Sequence, residues 1–346
     1  MRNVAGPRGM WFGGGEMPRD VESSVLGRTS VRAPAMEEDE RMGGAGYQSW
    51  FVSARDTVSA RALWIRHTDL RPRQGVESAA LWCTVVDRDL SRRPVVVKQV
   101  FATHPEEAMA GAARFRGSAS MGGRTVRWEL GAAAGEGPVR PLRPGWLYRA
   151  PVPRTKLEAT VPDGLISGTL EVDGQLVAVS QWRGTVGHNW GSEHADSWVW
   201  LHAADFGAAA DGWLELALAR VRVGAARSPW LAAGALRAGA ERFWLGGLGR
   251  RPRVDARPDR LAARIPSPAG WLDLSVTTAE DDAVAVAYTD PSGESRRVRH
   301  AALATVELTW HPRGHRDIAL TTGRGAYEFG ARHGLDDIEL EALPDG

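Results

Sequence analysis

Apolar and polar residues alternate with a period of two along most of the chain after its N-terminal region, which is the pattern of half-buried β-strands. In residues 61–68, Trp64 and Arg66 share one face of such a strand. The same alternation, or a short apolar run between turn residues, predicts further strands at residues 79–86, 95–101, 125–130, 165–172, 175–179, 198–206, 213–223, 272–276, 283–288, 298–310, 317–321 and 326–329.

Two Asp-Gly pairs predict tight hairpin turns, because both residues tolerate the left-handed backbone that such turns need. They are Asp173-Gly174 and Asp211-Gly212. Helical signals are few. Residues 105–115 begin with proline followed by acidic residues, and residues 228–245 carry an early proline, so each predicts one short helix. Two glycines inside the second segment weaken that prediction.

Many short strands with few helices predict an all-β protein, built as two packed β-barrel or β-sandwich units with a few short helices. We place these units at residues 45–205 and 206–346. Residues 1–44 lack periodicity, and we expect a largely disordered tail there. Residues 131–153 are rich in Gly and Pro and predict a long irregular connection inside the first unit.

Composition narrows the classes of partner. The formal net charge of +1 over 346 residues gives no sign of a nucleic-acid partner. No apolar run reaches the roughly 18 residues of a membrane span, so no integral membrane segment is expected. The N-terminal residues do not form a signal peptide, and the single cysteine, Cys83, fits a reducing compartment. We therefore expect a cytoplasmic protein.

Several common chemistries lack their motifs. There is no P-loop, no dinucleotide fingerprint, and no G-x-S-x-G elbow. His311 and His315 are spaced for a helix face, but Pro312 and Gly314 between them argue against a helix and hence against a zinc pair. A lone cysteine excludes a Cys-based zinc site. We expect no metal and no cofactor.

Residues 187–200, with the sequence GHNWGSEHADSWVW, gather more proton-handling groups beside aromatic rings than any other stretch. They contain His188, Asn189, Trp190, Glu193, His194, Trp198 and Trp200. The strand that follows places His202, Ala204 and Phe206 on the face of Trp198 and Trp200. An aromatic face that includes a histidine suits an apolar cavity better than a polar cleft.

The same region resembles a known family. WRGTVGHNWG at residues 182–191 and SWVWLHAADF at residues 197–206 are similar to the G-x-x-x-x-H-x-W-G element and W-x-W strand of the lipocalin-like carotenoid 1,2-hydratase superfamily. Tocopherol cyclases and fungal lipocalin-like Diels–Alderases are more distantly similar. YQSWF at residues 47–51 resembles the opening strand of this group and GAYEFG at residues 325–330 its closing strand, although Gln48-Ser49 and Asn189 depart from the usual pattern.

The resemblance implies two lipocalin-like β units that hold an apolar ligand within or between them. Family members hydrate, cyclise or close rings on polyenes and terpenoids without a redox cofactor. That chemistry needs one proton donor and a shaped dry cavity, and aromatic faces stabilise carbocations. We expect His188 and Glu193 to transfer protons, Glu193 as an acid whose pKa burial would raise, and His188 as a donor, as an orienting partner or as the base that positions water. We expect the ligand to contact Trp64, Arg66, Asn189, Trp190, Trp198, Trp200 and His202.

Each of these residues also has a structural interpretation. His188 could cap a turn, and Glu193 could be a solvated turn residue. His194 is expected at the surface. Trp198, Trp200 and His202 could be core residues whose polar atoms are satisfied. Arg66 and Arg127 could point inward to hold a ligand carboxylate or enol, but strand alternation favours an outward direction for both.

Two hypotheses follow. The first is a cofactor-independent hydratase, cyclase or isomerase acting on a hydrophobic polyene, terpenoid or polyketide-like small molecule. The second is a non-catalytic lipocalin-like carrier of such a molecule. An enzyme needs an acid that faces the ligand, whereas a carrier does not. A structure in which Glu193 or His188 points into solvent, away from any cavity, would favour the carrier.

Overall fold

The computed structural model describes residues 44–342 except 88, 112, 208, 225, 336 and 337. Of these residues 66% lie in strands and 2% in helices, arranged as two large curled antiparallel sheets. The predicted all-β fold of lipocalin-like units is therefore confirmed. The predicted N-terminal tail lies outside the described residues, apart from its last position.

The first sheet contains nine strands in the order β4-β3-β2-β1-β9-β8-β7-β6-β5. Neighbouring strands are antiparallel. Successive residues of each strand point to the concave and the convex face of the curled sheet in turn. The strands are β1 (Gly46–Arg55), β2 (Ala62–Arg71), β3 (Ser78–Val86), β4 (Val95–Phe101), β5 (Met109–Ala110), β6 (Arg114–Met121), β7 (Arg124–Ala134), β8 (Thr155–Val172) and β9 (Gln175–Gly191).

The second sheet has the order β15-β14-β11-β10-β21-β20-β18-β17-β16, with β19 also paired to β20. The short strands β12 and β13 pair with each other. The strands are β10 (Ser197–Phe206), β11 (Ala209–Arg220), β12 (Arg222–Val223), β13 (Ala226–Arg227), β14 (Leu231–Ala238), β15 (Glu241–Gly246), β16 (Arg253–Ala256), β17 (Arg260–Ser267), β18 (Gly270–Thr278), β19 (Ala283–Thr289), β20 (Ser295–Pro312) and β21 (Ile318–Ala331).

Each curled sheet encloses its own apolar core. Ile65 and Val186 are buried inside the first sheet, and Leu201 and Ile265 inside the second. A third cluster, which includes Trp64, Trp82, Tyr288 and Val298, joins strands of the two sheets. Burying a large apolar side chain contributes roughly 1.5–3 kcal/mol, so this third cluster holds the sheets against each other.

Both predicted helices are wrong. Residues 105–115 form a turn followed by β5 and the start of β6, and residues 228–245 contain β14 and most of β15. Gly234 lies where a Cβ would press on the backbone of β11, and Gly239 occupies a turn with φ of +66°. The two glycines that weaken the helix pattern are therefore requirements of a β-hairpin. The helices among the described residues are two short 3-10 turns, Gly145–Tyr148 and Glu280–Asp282.

One predicted hairpin turn is confirmed and one is wrong. Asp173 and Gly174 have φ of 51° and 84° and join β8 to β9. Asp211 and Gly212 instead lie within β11, and the turn before it includes Gly207 with φ of 60°.

A bulge at the end of β10 also changes the predicted face of Phe206. Asp205 has φ of 59°, and the strand register shifts between Ala204 and Phe206. Phe206 consequently packs in the core of the second sheet with Leu201, away from the face of Trp198.

The strand β10, which the sequence assigns to the first unit, pairs with β11 and β21 of the second sheet. The chain leaves the first sheet at Gly191 and enters the second at Ser197. We propose that the unit boundary lies in this short connection.

Candidate active site

A cavity of about 570 Å³ lies where the two sheets face each other. The first sheet contributes residues of β1, β2 and the end of β9, and the second contributes residues of β10, β11, β14, β19 and β21. Part of the connection between β7 and β8, from Leu142 to Pro153, covers one side together with the first residues of β8. The site is therefore a product of both sheets, and neither sheet encloses it alone.

Aromatic rings form much of the cavity wall. Trp64, Trp198 and Trp200 all line it, and Phe51 meets Trp200 edge to face with 5.1 Å between ring centroids. Two glycines make room for these rings. A Cβ at Gly187 would overlap Phe51, and one at Gly330, opposite Trp198 on β21, would overlap the indole.

A buried carboxylate, Glu328, interrupts this apolar wall. Its Oε1 accepts a hydrogen bond from Trp198 Nε1 at 2.8 Å, and its Oε2 accepts one from the Tyr288 hydroxyl at 2.7 Å. Burial alone would raise the pKa of Glu328, but His300, Arg66 and the Trp198 bond together hold that pKa below its usual range. Glu328 is therefore an ionised carboxylate at neutral pH. It can accept a proton or stabilise positive charge on a ligand.

Arg66 supplies a buried positive charge to the same cavity. Its side chain is on the inner side of the protein, with 4% of the residue exposed, so the expectation that it points outward is wrong. Its Nε donates to Ser49 Oγ at 2.8 Å, and its guanidinium carbon lies 3.8 Å from the centre of the Tyr288 ring. Nη1 is buried without a hydrogen-bond partner among the described residues. Arg127, by contrast, points outward as expected.

His194 also lines the cavity, which corrects the expectation of a surface position. Its ring stacks on Tyr47 with centroids 3.9 Å apart, and its backbone N–H donates to Asp290 Oδ2 at 3.0 Å. Burial lowers the pKa of His194 despite the opposing effect of Asp290, so the ring is neutral near pH 7. Burial raises the pKa of Tyr47 to about 12, and its hydroxyl lies 2.7 Å from Thr155 Oγ1.

A second buried carboxyl group, Glu215, lies behind the cavity wall. Trp200 Nε1 donates to Glu215 Oε1 at 2.6 Å. Burial raises the pKa of Glu215 to about 8, in spite of that bond and the nearby charge of Arg55. The pKa of Arg55 is itself lowered to about 9 by burial. At neutral pH Glu215 is therefore mostly a neutral acid in contact with a ring that lines the cavity.

His202 does not line the cavity and is a satisfied core histidine. Arg55 Nη1 donates to its Nδ1 at 3.2 Å, and its Nε2 donates to the Pro162 carbonyl at 3.0 Å. Burial and then the Arg55 charge lower the pKa of His202 well below its usual value.

The two residues predicted to transfer protons lie off the cavity. His188 is buried between Trp50 and Trp190, with ring centroids 4.2 and 4.6 Å away, and burial lowers its pKa to about 3. Glu193 is half-buried and pairs with Arg154 and Arg332. Their proposed catalytic role stays a prediction.

Residues that are neighbours in residues 187–191 point to opposite faces of β9, because side chains alternate along a strand. Asn189 lines the cavity, whereas His188 and Trp190 lie on the opposite face of β9. Of the predicted ligand contacts, Trp64, Arg66, Asn189, Trp198 and Trp200 line the cavity.

Sequence reasoning missed the acidic side chains of the site. Glu328 lies within the GAYEFG segment, two positions after Ala326 and so on the same strand face. An acidic residue in an otherwise apolar closing strand was the available signal. Tyr288 and Glu215 carry no local signal, because each is a single polar position in an ordinary strand, and His300 follows several arginines in β20.

Within the described residues, no group of three or more His, Cys, Asp or Glu side chains is placed to hold a metal ion. No helix in that part of the chain is long and apolar enough to cross a bilayer.

No family model matches this chain. An uncharacterized protein of Mycobacterium tuberculosis strain H37Rv is 28% identical over 171 residues, which is 46% of this chain. The chain covers only half the length of that relative.

One solved structure, that of CghA, shares this fold. CghA matches with a TM-score of 0.52 at 9% identity, over 83% of this chain and 88% of CghA. Kievitone hydratase from Nectria haematococca matches with a TM-score of 0.43 at 11% identity, over 83% and 88% of the two chains. The likeness to CghA, together with the two curled sheets, defines an all-β protein of lipocalin-like architecture with a cavity between its sheets.

Proposed function

We propose that this protein is an enzyme, a hydratase, cyclase or isomerase without a redox cofactor. Its substrate is a hydrophobic polyene, terpenoid or polyketide-like molecule held in the cavity. The observation that carries this proposal is the placement of Glu328 and Arg66, opposite charges that are both buried in a tryptophan-lined wall. The resemblance of residues 182–206 to carotenoid 1,2-hydratases supports the same class of chemistry.

The proposed roles follow from the protonation states. Arg66 donates from Nη1, which has no partner among the described residues, to an oxygen of the substrate, a carbonyl or enol, and this withdraws electrons from the conjugated chain. Glu328, an ionised carboxylate, accepts a proton from the activated carbon or stabilises positive charge that develops there. The faces of Trp64, Trp198 and Trp200 stabilise such charge and exclude water.

Energetic cost favours this enzyme over the alternative, a non-catalytic carrier. Taking a charged group out of water costs several kcal/mol unless it is paired or hydrogen-bonded, and Arg66 Nη1 is buried without a partner among the described residues. A carrier of an apolar molecule gains nothing from two such groups in its wall. One observation does favour the carrier: His188 and Glu193 lie away from the cavity. Glu328 places a carboxylate in the cavity wall that acts as a base in this proposal, in place of the acid that the sequence-based form of the enzyme hypothesis required.

The test combines binding with turnover. A panel of polyenes and terpenoids, with and without a carbonyl group, is screened by quenching of tryptophan fluorescence, and bound compounds are then incubated in D₂O. Mass spectrometry reports rearrangement, added water or deuterium incorporation. We expect Glu328→Gln to lower turnover by about 10²–10⁴-fold while binding changes far less. Saturable quenching without conversion of any bound compound would support the carrier.

Glu193→Gln is the matched control, because it makes the same chemical change outside the cavity. Normal turnover in this variant, with loss in Glu328→Gln, assigns the reaction to the cavity carboxylate. The reverse pattern would restore the sequence-based prediction for Glu193. A cytoplasmic location, suggested by the single cysteine, remains part of the proposal.

A further inference from the structure

The mouth of the cavity is surrounded by exposed apolar side chains. Three segments form it, residues 142–154, 220–231 and 247–253, and each contributes residues to the cavity lining. Four of the large apolar side chains that are exposed among the described residues lie on these segments: Trp146, Val152, Leu231 and Leu248, with exposures of 59%, 54%, 42% and 57%.

Local backbone geometry presents two of these side chains outward. Trp146 lies in a 3-10 turn, Gly145–Tyr148, that contains no buried residue. Leu248 lies between Gly247 and Gly249, whose φ values of 99° and 78° belong to the left-handed region. The Arg250 N–H closes this turn on the Gly247 carbonyl at 3.2 Å. Turns closed by backbone hydrogen bonds therefore keep the side chains of Trp146 and Leu248 exposed to solvent.

The same three segments contain nine arginines and neither aspartate nor glutamate, although the whole chain has a formal net charge of only +1. Two of the arginines pair with acidic residues outside the segments, Arg154 with Glu193 and Arg227 with Asp196. Four of the other arginines are exposed and form no ion pair with any described residue: Arg149, Arg222, Arg250 and Arg251. The mouth is therefore a positively charged surface with apolar projections.

We propose that this mouth docks on the surface of an anionic lipid bilayer, from which the hydrophobic substrate enters the cavity. The route of substrate entry rests on the proposed function, whereas the docking does not. Exposed Trp and Leu side chains insert at the boundary between headgroups and acyl chains, and Arg side chains are attracted to anionic headgroups. The surface has both features beside the lining of an apolar cavity.

Charge argues against a second copy of this chain as the occupant. A symmetric dimer through the mouth would place the same arginine-rich segments against each other. Like charges opposed across an interface are repelled, and the segments have no acidic residue to offset them. An anionic bilayer meets the same surface with complementary charge.

The test is sedimentation of the full chain with vesicles of phosphatidylcholine, alone or mixed with phosphatidylserine. We expect binding to the mixed vesicles and much weaker binding to phosphatidylcholine, with loss at high salt. Each basic side chain near an anionic surface contributes about 1 kcal/mol. The double substitution Arg250→Gln and Arg251→Gln should therefore weaken binding about 30-fold. Arg313→Gln with Arg316→Gln, on an exposed turn of the second sheet outside the mouth, is the charge-matched control.

Brominated lipids locate the contact, because bromine quenches tryptophans that reach the acyl chains. Trp146→Phe should remove most of the quenching. Trp271→Phe, at the other tryptophan that is strongly exposed among the described residues, should preserve it. Equal binding to both vesicle types, equal loss in the control variants, or no binding at all would overturn the proposal. Ligand binding is measured on the same variants by fluorescence quenching without vesicles. Ligand binding without vesicle binding means that the docking proposal fails, and vesicle binding without ligand binding means that the proposed function fails.

Discussion

Replacing Glu215 by glutamine should remove a large part of the pH dependence of stability. Glu215 is buried against Trp200, and its pKa is raised from 4.5 to about 8, chiefly by burial. In the unfolded chain the carboxyl group loses its proton near its ordinary pKa, whereas the folded protein keeps that proton up to about pH 8. The unfolded state therefore binds fewer protons in this window, and the free energy of unfolding falls as pH rises.

The magnitude follows from the two pKa values. One pKa unit corresponds to about 1.36 kcal/mol, so Glu215 costs about 5 kcal/mol in total as pH rises past its folded pKa. About 2.5 kcal/mol of that loss falls between pH 5 and pH 7. Glutamine keeps a carbonyl oxygen to accept the Trp200 hydrogen bond but does not titrate. Its buried amide adds a constant cost, so the change with pH is the informative quantity.

Urea unfolding, followed by tryptophan fluorescence from pH 5 to pH 8, measures this change. The difference in free energy between Glu215→Gln and the unaltered protein should rise with pH in favour of the variant. Glu193→Gln, which makes the same chemical change at a half-buried ion-paired position, is the matched control. A difference that stays constant over this range for Glu215→Gln would refute the assignment of a neutral buried acid.

Three further predictions concern other parts of the structure. Burial lowers the pKa of His188 to about 3, so the protein loses stability as pH falls below about 6.5. His188→Phe removes this loss, and in urea unfolding its free energy of unfolding should fall less between pH 7 and pH 4 than that of the unaltered protein. Gly330→Ala should destabilise by about 1–3 kcal/mol through overlap with Trp198, lowering the melting temperature, whereas Gly323→Ala, in open space, should not. Arg66→Met should weaken binding of carbonyl-bearing ligands in fluorescence titrations and leave hydrocarbon binding unchanged; equal effects on both would contradict the oxygen contact.

Local sequence patterns predicted the strands well where both faces of a strand meet different surroundings. The strand predicted at residues 95–101 coincides with β4 (Val95–Phe101), and the Asp173-Gly174 turn is where the pattern placed it. The errors at residues 105–115 and 228–245 share one cause. Small residues such as Ala and Gly fit both a helix and tightly packed strands, so tertiary packing chose between them.

The candidate site was only partly predictable for a related reason. Alternation grouped Trp198 and Trp200 on one face, and both line the cavity. It could not show which face of β9 the second sheet covers, so His188 was favoured although its neighbour Asn189 lines the cavity.

The order of residues along this chain determined many of its strands, the Asp173-Gly174 turn and the two faces of most strands, because those properties depend largely on neighbours in sequence. The tertiary structure decided which faces meet. Trp198 and Glu328 are hydrogen-bonded although 130 positions separate them, and β1 and β2 supply Tyr47 and Arg66 to a cavity completed by the second sheet. Burial kept Glu215 a neutral acid, whereas His300, Arg66 and the Trp198 bond kept Glu328 ionised in spite of burial. Desolvation and partner charges act through space, and no local pattern in the sequence encodes them.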